Sequence, residues 1–172
     1  MAENKITTGD ANVAERNRVN AIDWIAAFNA GDHTRESALR TPDYTAHTPE
    51  SLGTDVLNST AWLAFLDGFR AGFPDLHLEV LDTAADEHMV AQRILFTGTH
   101  TGPFNGLPPT GRKVRFGGIE MNRMVDGRVA EHWFQLDAVT LFSQLGLIVV
   151  PGPKLLPRLL ATPVNRLLRR GR

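Results

Sequence analysis

The chain has 172 residues, 42% of them hydrophobic and 22% charged, with a net charge of −1 and no cysteine. Such a chain is one globular domain that buries roughly 70% of its unfolded surface. Its composition excludes a collagen, a coiled coil, a disordered chain, a disulfide framework, a thiol nucleophile and a cysteine-ligated zinc.

A helix is expected from Asn12, which with Glu15 could form a capping box, to Gly31. Its apolar stripe reads Val19, Ile22, Ile25 and Ala26, with Trp24 and Phe28 on the flank. A helical turn from Thr34 to Leu39 follows, and the Pro- and Thr-rich residues 41–50 read as a loop. A second helix is expected from Asp55 to Ala71, with Trp62, Leu63, Leu66 and Phe69 inward and Gly72 and Pro74 ending it. The period then changes to two. Leu76, Leu78 and Val80 alternate with polar residues, and His88 to Thr99 reads as a central strand. Residues 102–111 form a loop, and strands at Arg112 to Met124 and Arg128 to Asp137 are joined by a hairpin at Asp126 and Gly127. The sequence LFSQLGL at 141–147 is a last short helix. Helices first and antiparallel strands afterwards imply an α+β fold, with helices laid on one face of a curved sheet.

All 19 acidic residues and 12 of the 18 basic ones precede residue 138. The body therefore lacks the clustered cations of a nucleic-acid reader. Residues 1–150 read as one domain. Residues 151–172 read as a basic amphipathic tail, with Lys154, Arg158, Arg166, Arg169, Arg170 and Arg172 among leucines. It packs on its own body or a partner, or lies on an anionic membrane surface. The polar opening and the lack of any run of about 20 apolar residues make the cytoplasm the expected location.

No dinucleotide, P-loop, zinc-protease or nucleophile-elbow motif occurs. The six histidines are scattered, without the close pairing of a helical metal site, so no metal is expected. Ionisable residues inside apolar strands remain. Glu120, between Ile119 and Met121, lies either on the solvent face or in a pocket, where desolvation suits it to general acid–base work. His132 sits between Glu131 and Trp133. A two-residue turn at Asp126 and Gly127 would pair Glu120 with Trp133 and put His132 on the other face. A three-residue turn with Gly127 in a G1 bulge would pair Glu120 with His132, and it is preferred because only Gly127 then needs positive φ. Gly118, Phe134 and Leu136 would line the same face. His47 and Tyr44 could reach over a pocket mouth, Trp24 could wall it, Arg93 needs an acid or a polar cavity, and His100 ends its strand beside the 102–111 loop.

The segments DYTAHTP at 43–49, GTHTGPFNGLPPTGRKV at 98–114, MVDGRVAEHW at 124–133 and the closing LFSQLGL resemble the SnoaL-like polyketide cyclases of the NTF2-like superfamily. The resemblance implies a cone-shaped pocket between sheet and helices, no cofactor, a homodimer through the sheets, and ring closure of a polyketide by an aldol step. The acid–base Asp of ring-closing members falls on Phe134 and their pocket His on Glu120, whereas His132 and His100 match family histidines. Three functions follow as expectations. The first is a cofactor-independent cyclase or isomerase, with Glu120 as base and His132 as acid, on a hydrophobic ketone held by Trp24, Tyr44, His47, Arg93, His100, Gly118, Phe134 and Leu136. The second is a non-catalytic binding or assembly module. The third is an epoxide-opening enzyme using Glu120 and Asp137.

Overall fold

In the computed structural model, which describes residues 8–49, 52 and 56–147, the first element is the helix α1, Thr8–Ala30. It starts a turn before the expected cap, so Asn12 lies within it and Glu15 pairs with Arg18 at 2.6 Å instead of closing a capping box. Gly31 ends it. The buried stripe is rotated from the expected one: Ala21, Trp24, Ile25 and Phe28 face the core, while Val19 is 49% exposed. Side-chain area explains the rotation, since an indole and a phenyl ring bury far more apolar surface than Val19 and Ala26 would.

A short helix, α2 (His33–Ala38), is capped by Asp32, which accepts the N–H of Arg35. Residues 41–50, expected as a loop, instead supply most of a strand, β1 (Arg40–His47), with Tyr44 and Ala46 buried. Pro42 is tolerated because pairing with the later strand jumps from Arg40–Val129 to Thr45–Glu131, and residue 42 falls in the interruption. A three-residue strand, β2 (Val56–Asn58), takes the place of the expected first helical turn. The helix α3 (Ser59–Gly72) begins after it, where the Asn58 side chain accepts the N–H of Ala61 at 2.9 Å.

The remaining strands are β3 (His77–Ala85), β4 (Met89–Thr99), β5 (Lys113–Val125) and β6 (Arg128–Leu136), followed by α4 (Ala138–Leu145). They form one sheet in the order β2-β1-β6-β5-β4-β3. Every neighbouring pair is antiparallel except β1 and β6, which run parallel. The sheet is curved and unclosed, and α1 and α3 cover its concave side. Burial on β5 alternates cleanly: Val114, Phe116, Glu120, Asn122 and Met124 are inside, and Lys113, Arg115, Ile119, Met121 and Arg123 outside. No helix among the described residues is long and apolar enough to cross a membrane. The basic tail at 151–172 lies outside the described residues.

The loop at 102–111 closes one end of the core. Phe104 packs on Phe69 and Phe73, with ring centroids 4.8 and 5.1 Å apart. The chain enters this loop against the end of α3, where the N–H groups of Thr101 and Gly102 both donate to the carbonyl of Gly72 at 3.1 Å. Nearby, Asp75 accepts the hydroxyl of Thr99 at 2.7 Å and its N–H at 2.6 Å, and these bonds hold its carboxyl below the usual aspartate value of 3.8. A lowered native value stabilises the fold above the unfolded value, and that contribution is lost as pH falls through the native one. Asp75→Asn is therefore expected to melt below wild type at pH 7, and the gap should narrow steadily below about pH 4 in thermal melts.

Candidate active site

The hairpin between β5 and β6 decides which side chains share a face. Its turn has two residues, Asp126 and Gly127, at φ 51° and 78°, the left-handed pair of a type I′ turn. Asp126 tolerates that conformation because its short polar side chain can bond locally. The expected three-residue turn is thus absent: Val125 pairs with Arg128 and Met124 with Val129. Glu120 nonetheless does not pair with Trp133. The register shifts between Met124 and Arg123, which pairs with Glu131, so Ala130 is an extra residue on β6. Beyond this bulge Asn122 faces His132 and Glu120 faces Phe134. Glu120 and His132 therefore share the concave face as diagonal neighbours, not as a directly opposed pair.

Both side chains are almost wholly buried. His132 Nε2 lies 3.3 Å from Glu120 Oε2 but off the angle of a hydrogen bond, and so has no hydrogen-bond partner. Glu120 Oε1 accepts a bond from Asn122 Nδ2 at 3.2 Å. On its other side His132 Nδ1 is 3.2 Å from the Tyr44 hydroxyl. Burial pushes that hydroxyl well above its ordinary pKa, with Arg40, 4.9 Å from the ring centroid, only partly opposing the shift. Tyr44 is accordingly a phenol with one proton to donate. Donation of that proton to Nδ1 corresponds to the Nε2–H tautomer of the imidazole. The imidazole stands edge-on between two indoles, those of Trp24 and Trp62, at centroid distances of 5.0 and 4.9 Å.

The dyad lines an apolar cavity whose walls come from α1 (Trp24, Phe28), α3 (Trp62, Phe65, Phe69) and the sheet (Phe96, Phe134). Its open space is about 40 Å³, room for a few water molecules. A fused-ring ligand is accommodated only when this aromatic wall parts.

Of the residues expected around a pocket, Trp24 and Phe134 line the cavity, and Tyr44 lies behind His132. The others are elsewhere. His47 is on the convex face, stacked on Trp133 at 5.3 Å and bonded to Glu131 at 2.9 Å, because odd-numbered β1 positions point outward there. Arg93 is also outside, paired with Asp82 across the β3–β4 ladder. His100 is buried, but its Nδ1 accepts the N–H of Thr110, so it pins the loop instead of facing the cavity. Gly118 is roofed by Phe96, whose ring would lie 2.7 Å from an added Cβ. Leu136 packs at the edge of the core, outside the cavity. Asp137 caps α4, with Thr140 on both its oxygens, and forms no pair with Glu120.

Two residues of the site were not singled out from the sequence. Asn122 was accessible to it, being two positions from Glu120 on an alternating strand. Glu36, fully buried and also lining the cavity, gave no signal, because a six-residue helix is too short for periodicity to show its inner side. Among the described residues no group of three or more His, Asp or Glu could hold a metal ion.

The chain is similar to several known proteins. The aklanonic acid methyl ester cyclase DauD of Streptomyces sp. (strain C5) is 28% identical over 128 residues, covering 71% of this chain and 76% of that protein. DnrD of Streptomyces peucetius, also named an aklanonic acid methyl ester cyclase, is 28% identical over 125 residues, covering 72% and 79%. Among solved structures, IdmH of Streptomyces antibioticus, a candidate polyketide cyclase, has a TM-score of 0.70 at 34% identity, covering 76% of this chain and 99% of that one. AclR of Streptomyces galilaeus, a candidate hydroxylase, has a TM-score of 0.71 at 32% identity, covering 84% and 94%. Residues 20–145, which hold the cavity walls and the dyad, match the family described as SnoaL-like polyketide cyclase, and the chain belongs to that family.

Proposed function

We propose that the chain is a cofactor-independent cyclase or isomerase that enolises a hydrophobic, polyketide-like ketone by general acid–base chemistry. The observation that carries this reading is the buried Glu120–His132 pair, with His132 Nε2 left without a hydrogen-bond partner, inside an aromatic cavity. Glu120 Oε2 removes a proton from the carbon between two carbonyls, and the electron pair moves into an enolate stabilised by His132 Nε2–H. In ring closure the enolate carbon attacks a second carbonyl of the same molecule. One C–C bond forms, and the new alkoxide takes back the proton held by Glu120. No oxidant or reductant is needed. The indole N–H of Trp62, buried without a partner in the same wall, is a second donor for a substrate oxygen.

Each acid–base group contributes about 10² to 10⁴-fold, and holding the chain folded against the aromatic wall contributes through proximity. The names of DauD and DnrD as cyclases agree with this chemistry. A second reading, a binding module without turnover, is favoured by Phe134, the position at which the family resemblance implies an acid in ring-closing members. The same proposal includes a homodimer through the convex face of the sheet, where Ile119 and Met121 are exposed.

Solvent deuterium exchange into a panel of β-keto esters, followed by NMR, tests the proposal. Wild type should exceed buffer, and His132→Gln should slow exchange by about a hundredfold. Binding of the esters without exchange above buffer would overturn it in favour of the binding module.

A further inference from the structure

A carboxylate placed among aromatic rings calls for an explanation that the dyad does not supply. Glu36 is fully buried in α2, yet it lines the same cavity as Glu120 and His132. Its Oε1 accepts a bond from Arg70 Nη2 at 2.8 Å, which holds the charge in place. The Arg70 guanidinium is itself fixed, 4.4 Å from the Phe28 ring centroid and bonded to the Phe28 carbonyl at 3.3 Å. Oε2 is different. The half-exposed His33 has its Nδ1 3.4 Å away without hydrogen-bond geometry, and Oε2 has no hydrogen-bond partner. An ionised oxygen left unsatisfied in an apolar wall costs more than a neutral one. A mere structural pair between α2 and α3 would gain from directing both oxygens at Arg70. The geometry instead leaves one oxygen of a cavity-lining carboxylate without a hydrogen-bond partner.

We propose that Glu36 Oε2 is the acceptor for a hydroxyl group of the ligand. On the reading above, which this inference rests on and deepens, the substrate is a ketone that also bears a phenolic or alcoholic hydroxyl away from its acidic C–H. The carbonyl end lies at His132 and Trp62, and the hydroxyl end donates to Glu36. The remainder of the wall is hydrocarbon, which suits the aromatic or polyene span between the two ends. A ligand lacking the hydroxyl, or carrying it as a methyl ether, leaves Oε2 unsatisfied and binds more weakly.

The test uses an acetylnaphthol with ketone and hydroxyl at opposite ends, its methyl ether, and the acetylnaphthalene lacking oxygen on that ring. Affinities are read from quenching of the cavity tryptophans, Trp24 and Trp62. Wild type should bind the naphthol at least about tenfold tighter than either analogue, the size expected of a hydrogen bond to a charged acceptor. Glu36→Gln, which keeps an oxygen for Arg70 but replaces the free acceptor with a donor amide, should bring that preference below about twofold while acetylnaphthalene affinity is kept. Should Glu36→Gln fail to fold by circular dichroism, Glu36→Asp, with its carboxylate withdrawn by one methylene, should lose most of the preference instead. A preference that survives these substitutions, or is missing in wild type, overturns the Glu36 assignment alone. If none of the three compounds quenches wild type, the cavity is not a ketone site and both readings fall.

Discussion

Glu120→Gln is expected to reduce proton abstraction by about a thousandfold, within the 10² to 10⁴ range of a general base, while leaving the protein folded. Glutamine has nearly the same shape, and its carbonyl oxygen can still accept from Asn122 Nδ2, now 3.2 Å from the carboxylate. What it lacks is basicity. The thermal midpoint should hold or rise, since a neutral amide is cheaper than a carboxylate to keep in a buried cavity. Rate and stability should thus move independently, which a general loosening of the site would not produce. Exchange kinetics and a thermal melt on the same preparation check both halves, and an unchanged exchange rate would remove Glu120 from the mechanism.

The largest effect on stability is expected at Gly102. A Cβ built there would sit 1.9 Å from the carbonyl oxygen of Ala71 and 2.9 Å from its carbonyl carbon. Those are backbone atoms at the end of α3, so no rotamer change relieves the clash. Gly102→Ala must push the loop away from the helix and break the bonds that Thr101 and Gly102 make to the carbonyl of Gly72. The cost should be about 3 kcal/mol or more, at the upper end for overpacking. For a domain of this size that lowers the melting temperature by roughly 6 to 12 °C. Calorimetry of the variant checks it, with Gly106→Ala as a comparison at a position where an added Cβ has free space but the backbone is left-handed.

Most of the architecture was legible because its signals are local. The alternation on β5 and the stripe Trp62, Leu66 and Phe69 on α3 identify elements and inner faces without tertiary knowledge. Three features were not legible, each for a long-range reason. β1 carries Pro42 and two threonines, Thr41 and Thr45, and is a strand only because β6 and β2 flank it. The stripe of α1 turns toward Trp24 and Phe28 because of the cavity it walls. The hairpin register depends on the Ala130 bulge, which packing against α1 supports: Asn20 Nδ2 bonds the Gly127 carbonyl at 2.7 Å. For the site, the placement of Glu120 and His132 on adjacent strands could be read from sequence, whereas their shared face comes from the Ala130 bulge and not from the expected three-residue turn. The outward direction of His47 and Arg93, and the presence of Glu36, could not, since each is settled by a partner distant in the chain.

The bulge at Ala130 makes the inventory of the cavity a matter of counting parity. Residues 131 to 136 alternate between the two sides of the sheet, and one unpaired residue upstream sets which member of each couple is enclosed. Pairing Ala130 regularly, without the bulge, would exchange the two sides wholesale, turning Glu131 and Trp133 inward and His132 and Phe134 out to solvent. A scaffold built this way can present a different set of reactive groups when a bulge beside the hairpin is formed or lost, with every flanking side chain left as it was. Divergence of chemistry among proteins of this shape should then be sought in bulges beside the β5–β6 turn as much as in substitutions within the strands.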